Sequence, residues 1–302
     1  MREHQLWRLI GKEEFGEVER RLAMREQVVE GGGSLKLYVR EWGPRDAPAI
    51  VLLHGWSQHH LCWSRQFDSS LSDEFRVVAP DLRGHGQSEA PLEPENYKTG
   101  SLWADDVAAL ISFLELVSPV LVGWSYGGFI IGDYLRQYGD GAIAGINLAG
   151  GAIGIGPDWF GTKIGPDFVR YAPRACSPDQ PQALAAIQAL VHRFFVRPVA
   201  PGELEAAVGW SMLTQPAVRG ALIDRNEDFR PEYSRLLKPL LVSYGAADTI
   251  LLPAMVDAIR KACPACQLSE YAETGHAPFF EDPERFNVEL AAFVREASGR
   301  LS

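Results

Sequence analysis

The run Gly123-Trp124-Ser125-Tyr126-Gly127-Gly128 follows the apolar stretch Val120-Leu121-Val122 and precedes a helical pattern over 127–138. Gly-x-Ser-x-Gly between a strand and a helix marks a turn that presents a nucleophilic serine. Side chains flanking the serine would collide with the neighbouring strand and helix, so glycine is needed there. Ser125 is thereby raised above the carboxyl edge of the sheet, at a helix N-terminus that favours developing negative charge. A hydroxyl is a weak nucleophile and needs an adjacent base. Among seven histidines, His276 is the candidate, because Glu273-Thr274-Gly275-His276-Ala277-Pro278 lies between a predicted strand at 267–271 and the final helical pattern. His54, before Gly55, is expected to orient its loop, and His85, in Arg83-Gly84-His85-Gly86, to pack one. The base in turn needs a carboxylate to hold its tautomer. Asp248, just past the run Leu240–Tyr244, occupies the matching place after its own strand. Two backbone donors complete the set: the N–H of Trp56, after His54-Gly55, and that of Tyr126, after the serine. These residues specify covalent acyl transfer, with no metal or organic cofactor required.

The elements that must place these groups are legible as an alternation. Ala49–Leu53, Arg76–Ala79, Pro119–Val122, Ile143–Leu148 and Leu240–Tyr244 are short, β-branched, continuously apolar runs. Such runs suit parallel strands buried on both faces. Helical patterns at about 60–71, 103–117, 127–138, 253–262 and 283–297 separate or follow them, which predicts an α/β sheet with right-handed crossovers. Gln27–Glu30 and Leu35–Val39 read as a hairpin turned by Gly31-Gly32-Gly33-Ser34. Residues 1–25 mix apolar and charged side chains at helical spacing and are assigned to an N-terminal helical extension. Residues 152–236 break the rhythm: they hold nine of the twenty prolines, many aromatics and a clear helix near 183–191. A structureless loop of that length would be unusual, so this segment is predicted to be a helical cap inserted into a core made of 26–151 and 237–302.

The chain has 302 residues, 46% hydrophobic and 23% charged, which excludes a disordered, collagen-like or disulfide-framework protein. A net charge of −10 speaks against nucleic-acid or anionic-membrane partners. The cap segment carries nine basic and nine acidic residues, so the substrate should meet a neutral, aromatic cover and the cap's charges a solvated mixed face. No stretch approaches the roughly 18 apolar residues of a membrane span. The charged opening residues do not suit a signal peptide. With only four cysteines, a cytoplasmic location with reduced thiols is expected. Cys263-Pro264-Ala265-Cys266 has redox or metal-ligand spacing but no companion pair, and is assigned to two ordinary thiols.

Taken with Asp81-Leu82-Arg83-Gly84-His85-Gly86-Gln87-Ser88 and Gly275-His276-Ala277-Pro278-Phe279-Phe280, these motifs resemble the α/β-hydrolase-fold serine hydrolases over about residues 26–298. The chain order Ser125, Asp248, His276 is the order of that fold. The flanking Trp56 and Trp124 are similar to carboxylesterases, and Arg83–Ser88 equally to the cofactor-free haloperoxidase group. The resemblance implies a mostly parallel central sheet flanked by helices and hydrolysis of a carboxylic ester, lactone or thioester of a small, largely apolar molecule. A pocket from Trp124, Trp159, Phe279 and Phe280 is expected to receive it. Carbon–carbon hydrolysis, acyl transfer and perhydrolysis remain alternatives on the same residues, and a small-ligand receptor is the alternative of another class. Oligomeric state is left open by the sequence.

Overall fold

The structure, a computed structural model, describes residues 24–299. The expected N-terminal helical extension, residues 1–25, lies outside the described residues except at its end. There Arg25 opens a strand instead. The central sheet contains β1 (Arg25–Glu30), β2 (Lys36–Trp42), β3 (Ala49–Leu53), β4 (Arg76–Pro80), β5 (Val120–Trp124) and β6 (Gly145–Ala149). A two-residue pair, β7 (Gly154–Ile155) and β8 (Glu227–Asp228), stands apart from it, and β9 (Leu240–Gly245) and β10 (Gln267–Tyr271) complete it. The helices of eight residues or more are α1 (Gly100–Phe113), α2 (Gly127–Tyr138), α3 (Pro166–Ala175), α4 (Gln180–Val191), α5 (Pro201–Leu213), α6 (Pro216–Ile223), α7 (Pro253–Ala262) and α8 (Pro283–Ala297).

The sheet order is β1-β2-β4-β3-β5-β6-β9-β10, with β2 antiparallel to both its neighbours and every later pairing parallel. All residues of β3, β4, β5 and β6 are buried, as continuous apolar runs between two helical layers must be. From β3 the chain steps one way to β4, then crosses back to β5 and continues the other way. The order therefore reverses between β3 and β5, where Leu53 pairs with Gly123. Open α/β sheets bind ligands beyond the carboxyl ends of the strands at such a reversal. The loops carrying Trp56 and Ser125 leave β3 and β5 at that point.

The hairpin glycines do more than turn the chain. Gly32–Ser34 make a short 3-10 turn after Gly31; a Cβ at Gly31 would lie 2.2 Å from Asp106 Oδ1 and one at Gly32 2.4 Å from the Leu102 carbonyl oxygen. Asp106 in turn receives Arg83 Nε and Nη2, each at 2.7 Å, so the Arg83–Gly86 loop is bolted to α1 and the hairpin together.

Three expectations need correction. The helix expected at 60–71 is broken into a 3-10 turn (His60–Trp63) and two four-residue helical turns (Ser64–Phe67 and Leu71–Glu74). Ser69 Oγ donates to the Gln66 carbonyl and accepts from the Leu71 N–H, taking backbone groups that a continuous helix would need. The helix expected at 103–117 runs from Gly100 to Phe113 and stops before Glu115 and Ser118, both with positive φ. The segment 152–236 is not wholly helical: β7 pairs with β8 near its two ends. No helix of the described residues is long and apolar enough to cross a membrane.

Candidate active site

Ser125 occupies the turn between β5 and α2 with φ 52°, a left-handed conformation that costs a serine energy and is retained where surrounding contacts impose it. The imposing contacts are backbone ones. The Ser125 N–H donates to the Gly150 carbonyl at 3.0 Å, and its own carbonyl accepts from Gly128 and Ala152. A Cβ on Gly127 would stand 2.4 Å from the Leu53 carbonyl oxygen, so α2 can start this close to β3 only with glycine there.

His276 is held at both backbone ends. Its N–H donates to the Phe194 carbonyl at 2.8 Å, and its carbonyl accepts the Trp124 indole N–H at 2.9 Å. Its Nδ1 lies 2.8 Å from Asp248 Oδ2, and the other carboxylate oxygen accepts from the Ile250 and Leu251 N–H groups at 2.7 and 2.9 Å. Asp248 is therefore fixed by its own turn while it orients the imidazole, leaving His276 Nε2 as the edge free to move a proton. Both residues are buried.

Trp56 and Tyr126 follow β3 and β5. Neither of their backbone N–H groups has a protein acceptor among the described residues. Buried backbone donors are almost always paired. Two unpaired ones beside a strained serine form an arrangement suited to holding an oxyanion.

Two small spaces open from Ser125. One is lined by Gly55, Trp56, Trp124, Phe168, Phe194 and His276. The other is walled by Phe129, Ala152, Ile155, Ile164, Phe168 and Leu251, among others, with no charged side chain. A wider, open groove lies elsewhere. It is lined by Arg45, Arg76 and Lys238 at the amino ends of the strands and contains none of these residues.

The remaining histidines of the site region are structural. His54 Nε2 accepts from the Leu82 N–H and its Nδ1 faces the Gly55 carbonyl, while His85 Nε2 accepts from the Ser57 N–H and its Nδ1 faces the Arg83 carbonyl. Both rings are thus neutral Nδ1–H tautomers. Burial lowers His54 well below the usual histidine range and brings His59 and His85 to about 4. Burial instead pushes the Asp133 carboxyl up to about 6 although Arg225 pulls it down. In the unfolded chain these histidines protonate near 6.5. Between that value and about 4 the unfolded state binds protons the folded state refuses, so stability is lost as pH falls through this window. Asp133 acts in the opposite sense, because its folded carboxyl takes a proton first. The net uptake on unfolding near pH 5 from these four groups is about two protons. Thermal melts are expected to give a distinctly lower Tm at pH 5 than at pH 7. An unchanged Tm would contradict the neutral, buried assignment.

His59, His60 and Asp81 are the one grouping of possible metal-donor side chains among the described residues, their nearest donor atoms all within 4.8 Å. Asp81 Oδ1 already accepts from the His60 backbone N–H and lies 2.7 Å from His60 Nδ1, and Oδ2 accepts from Gln87. The carboxylate is thus already engaged as a loop anchor. The Cys263 and Cys266 thiols are free, and burial raises both, which disfavours the thiolate that metal binding or redox exchange needs.

Residues 50–289 match the alpha/beta hydrolase family. The chain belongs to that family. Among solved structures, this α/β-hydrolase is similar to the esterase RhEst1 from Rhodococcus sp. ECU1013, with 35% identity, TM-score 0.84, and coverage of 90% of this chain and 98% of that one. Among curated relatives it is 28% identical to a non-heme chloroperoxidase of Streptomyces lividans, and 27% identical to the bifunctional esterase/perhydrolase DCH of Acinetobacter calcoaceticus. Both alignments cover 86% of this chain and 96% of the relative.

Ser125, Asp248, His276, Trp56, Tyr126 and Trp124, expected together in this α/β-hydrolase, do meet at one end of the sheet. Phe279 and Phe280 do not reach Ser125: they line a neighbouring space with Trp124, Phe194 and Trp210, behind the indole wall. Trp159 is a correction. It lines neither space beside Ser125 but lies flat on β7, where a Cβ at Gly154 would be 2.0 Å from its ring. The solvated mixed face expected for the segment's charges is also wrong at two positions. Arg219 and Arg225 are buried, the latter bonded to both oxygens of Asp133 on α2 at 2.8 Å. Phe168 and Phe194, expected only as members of an aromatic cover, line the site, while Ile250, which also lines it, and Glu281 were missed. The Glu281 carboxylate accepts from the Gly275, Val196 and Arg197 N–H groups and clasps the His276 loop to the chain after α4. Of the two missed, Ile250 left a trace in the sequence, as the residue an aspartate turn at Asp248 would present.

Proposed function

We propose that this α/β-hydrolase cleaves carboxylic esters of small, uncharged molecules through an acyl-enzyme on Ser125. The observation that carries the reading is the strained Ser125 sharing one space with the Asp248-oriented His276 and Trp56, and the adjoining space with Tyr126, the backbone N–H groups of Trp56 and Tyr126 being unpaired. Ser125 Oγ attacks the carbonyl carbon while His276 Nε2 takes its proton, and Asp248 stabilises the resulting imidazolium. The Trp56 and Tyr126 N–H groups hold the oxyanion. Collapse of the tetrahedral species breaks the bond to the leaving oxygen, which takes the proton from His276. Water then gives its proton to His276 and attacks the acyl carbon, releasing the acid and restoring Ser125.

Residues 152–236 serve as the cover: Phe168 and Phe194 come from this segment and wall the site. The apolar walls support an uncharged substrate, because a carboxylate buried there would have no partner. Four free thiols support a cytoplasmic enzyme. With p-nitrophenyl esters, steady turnover of the butanoate is expected, at a kcat/KM more than about 100-fold above that of the hemisuccinate. A hemisuccinate rate equal to the butanoate rate would overturn the substrate class, and a binding-only protein would give no steady turnover at all. The esterase/perhydrolase relative favours perhydrolysis as a second reading, in which hydrogen peroxide replaces water as acceptor of the same acyl group. Peracid formed when peroxide is added to the ester assay would establish it.

A further inference from the structure

Ser57, directly after the Trp56 donor, has φ 58°. Serine adopts this left-handed conformation only where contacts enforce it. Here they come from two sides. The Ser57 N–H is received by His85 Nε2 at 3.2 Å, within the core. Its hydroxyl donates to the Ser211 carbonyl on α5 at 2.8 Å and accepts from Arg219 Nε on α6 at 3.2 Å. Arg219 also reaches back to the neighbouring residue, for its carbonyl accepts the Trp56 indole N–H at 3.2 Å.

Arg219 is an unusual anchor. It is fully buried, and among the described residues no carboxylate pairs with it. Its guanidinium donates to neutral acceptors: the Ser57 hydroxyl, the Ala175 carbonyl at the end of α3 and the Ser211 carbonyl at 3.0 Å. A buried, uncompensated cation is costly to a fold and is expected where it serves a function. Its planar fork ties α3 and α5 to the loop that follows β3 in a way lysine could not.

We propose that Arg219, acting through Ser57, is a positioning residue that fixes the Trp56 N–H for the oxyanion, so that the cover segment sets the geometry of catalysis as well as admitting substrate. This rests on the assignment of Ser125 as nucleophile and Trp56 as donor. Its consequence is specific: loosening the anchor should weaken stabilisation of the transition state while leaving substrate binding nearly intact.

The test uses Ser57→Gly, because glycine takes the positive φ without strain and only the hydroxyl link is lost. Arg219→Gln is the second variant. Reactive sites are counted by burst titration, so that any misfolded fraction drops out. Per titrated site, kcat is expected to fall about 10- to 100-fold in each variant, with KM changed less than about threefold. The rate of phosphonylation, which builds the same charged oxygen, should fall in parallel. The double variant should lose no more than the worse single one, because both remove one device. Unchanged kcat per site in Ser57→Gly, or strictly multiplicative losses, would overturn the proposal. Ser125→Ala run alongside separates the two claims. If it abolishes hydrolysis while Ser57→Gly keeps full kcat, only the positioning role fails. If Ser125→Ala itself retains activity, the underlying assignment fails.

Discussion

Replacing Ser125 by alanine is expected to lower ester-hydrolysis kcat by about 10⁵- to 10⁶-fold while leaving the fold and KM nearly unchanged. The size of the effect follows from the geometry. Ser125 Oγ is the hydroxyl of the strained turn that shares a space with His276, and without it no acyl-enzyme can form. The backbone that holds the turn is untouched, since the bonds from Gly128 and Ala152 to the Ser125 carbonyl involve no side chain. Alanine at φ 52° keeps the strain serine already bears, so thermal unfolding should shift by only a few degrees. Steady-state rates on a p-nitrophenyl ester, corrected for any background hydrolysis, measure the loss directly. Activity above a hundredth of the original would place the nucleophile elsewhere.

Asp248→Asn should cost about 10⁴-fold in kcat, by a different route. An asparagine can keep Oδ1 where it is, accepting from Ile250 and Leu251, so the turn after β9 survives. The nitrogen then replaces Oδ2 at 2.8 Å from His276 Nδ1. An amide N–H donates and cannot accept, so Nδ1 must give up its proton and Nε2 must carry it. The Nε2 edge becomes a donor and can no longer take the serine proton. Removal of the negative charge also leaves the imidazolium without a partner. Retention of structure with loss of rate is the combination to seek, and a melting temperature close to that of the parent alongside the lost rate would show it. A variant losing less than about tenfold would mean that Asp248 is a loop anchor alone.

The candidate constellation was legible because its members sit at places that sequence patterns mark. Ser125, Asp248 and His276 each follow a short apolar or β-rich run at the carboxyl end of a strand, and glycines flag the tight approaches. The same regularity gave β3, β10, α2, α7 and α8 with the residue bounds observed. The walls of the site were not legible. Phe168 and Phe194 lie in a segment whose helices are placed by packing on the sheet, and nothing in their spacing distinguishes them from Trp159, which faces β7. Charge misled in the same segment: Arg219 and Arg225 resemble their solvated neighbours until the helices fold them inward, one onto Asp133 and one onto carbonyl groups. The break at Ser69 shows the limit of periodicity, since two serine hydrogen bonds outweighed a helical apolar pattern. Side chains that compete with the backbone, and segments held by tertiary contact, are where local reasoning runs out.

The central claim, a covalent acyl intermediate on Ser125, is tested most directly by intact-protein mass spectrometry after rapid acid quench from a slowly deacylating p-nitrophenyl ester, followed by peptide mapping. One acyl adduct per chain is expected, located on Ser125 and missing from Ser125→Ala. An adduct on another residue, or persistence of the adduct in the alanine variant, would contradict the mechanism.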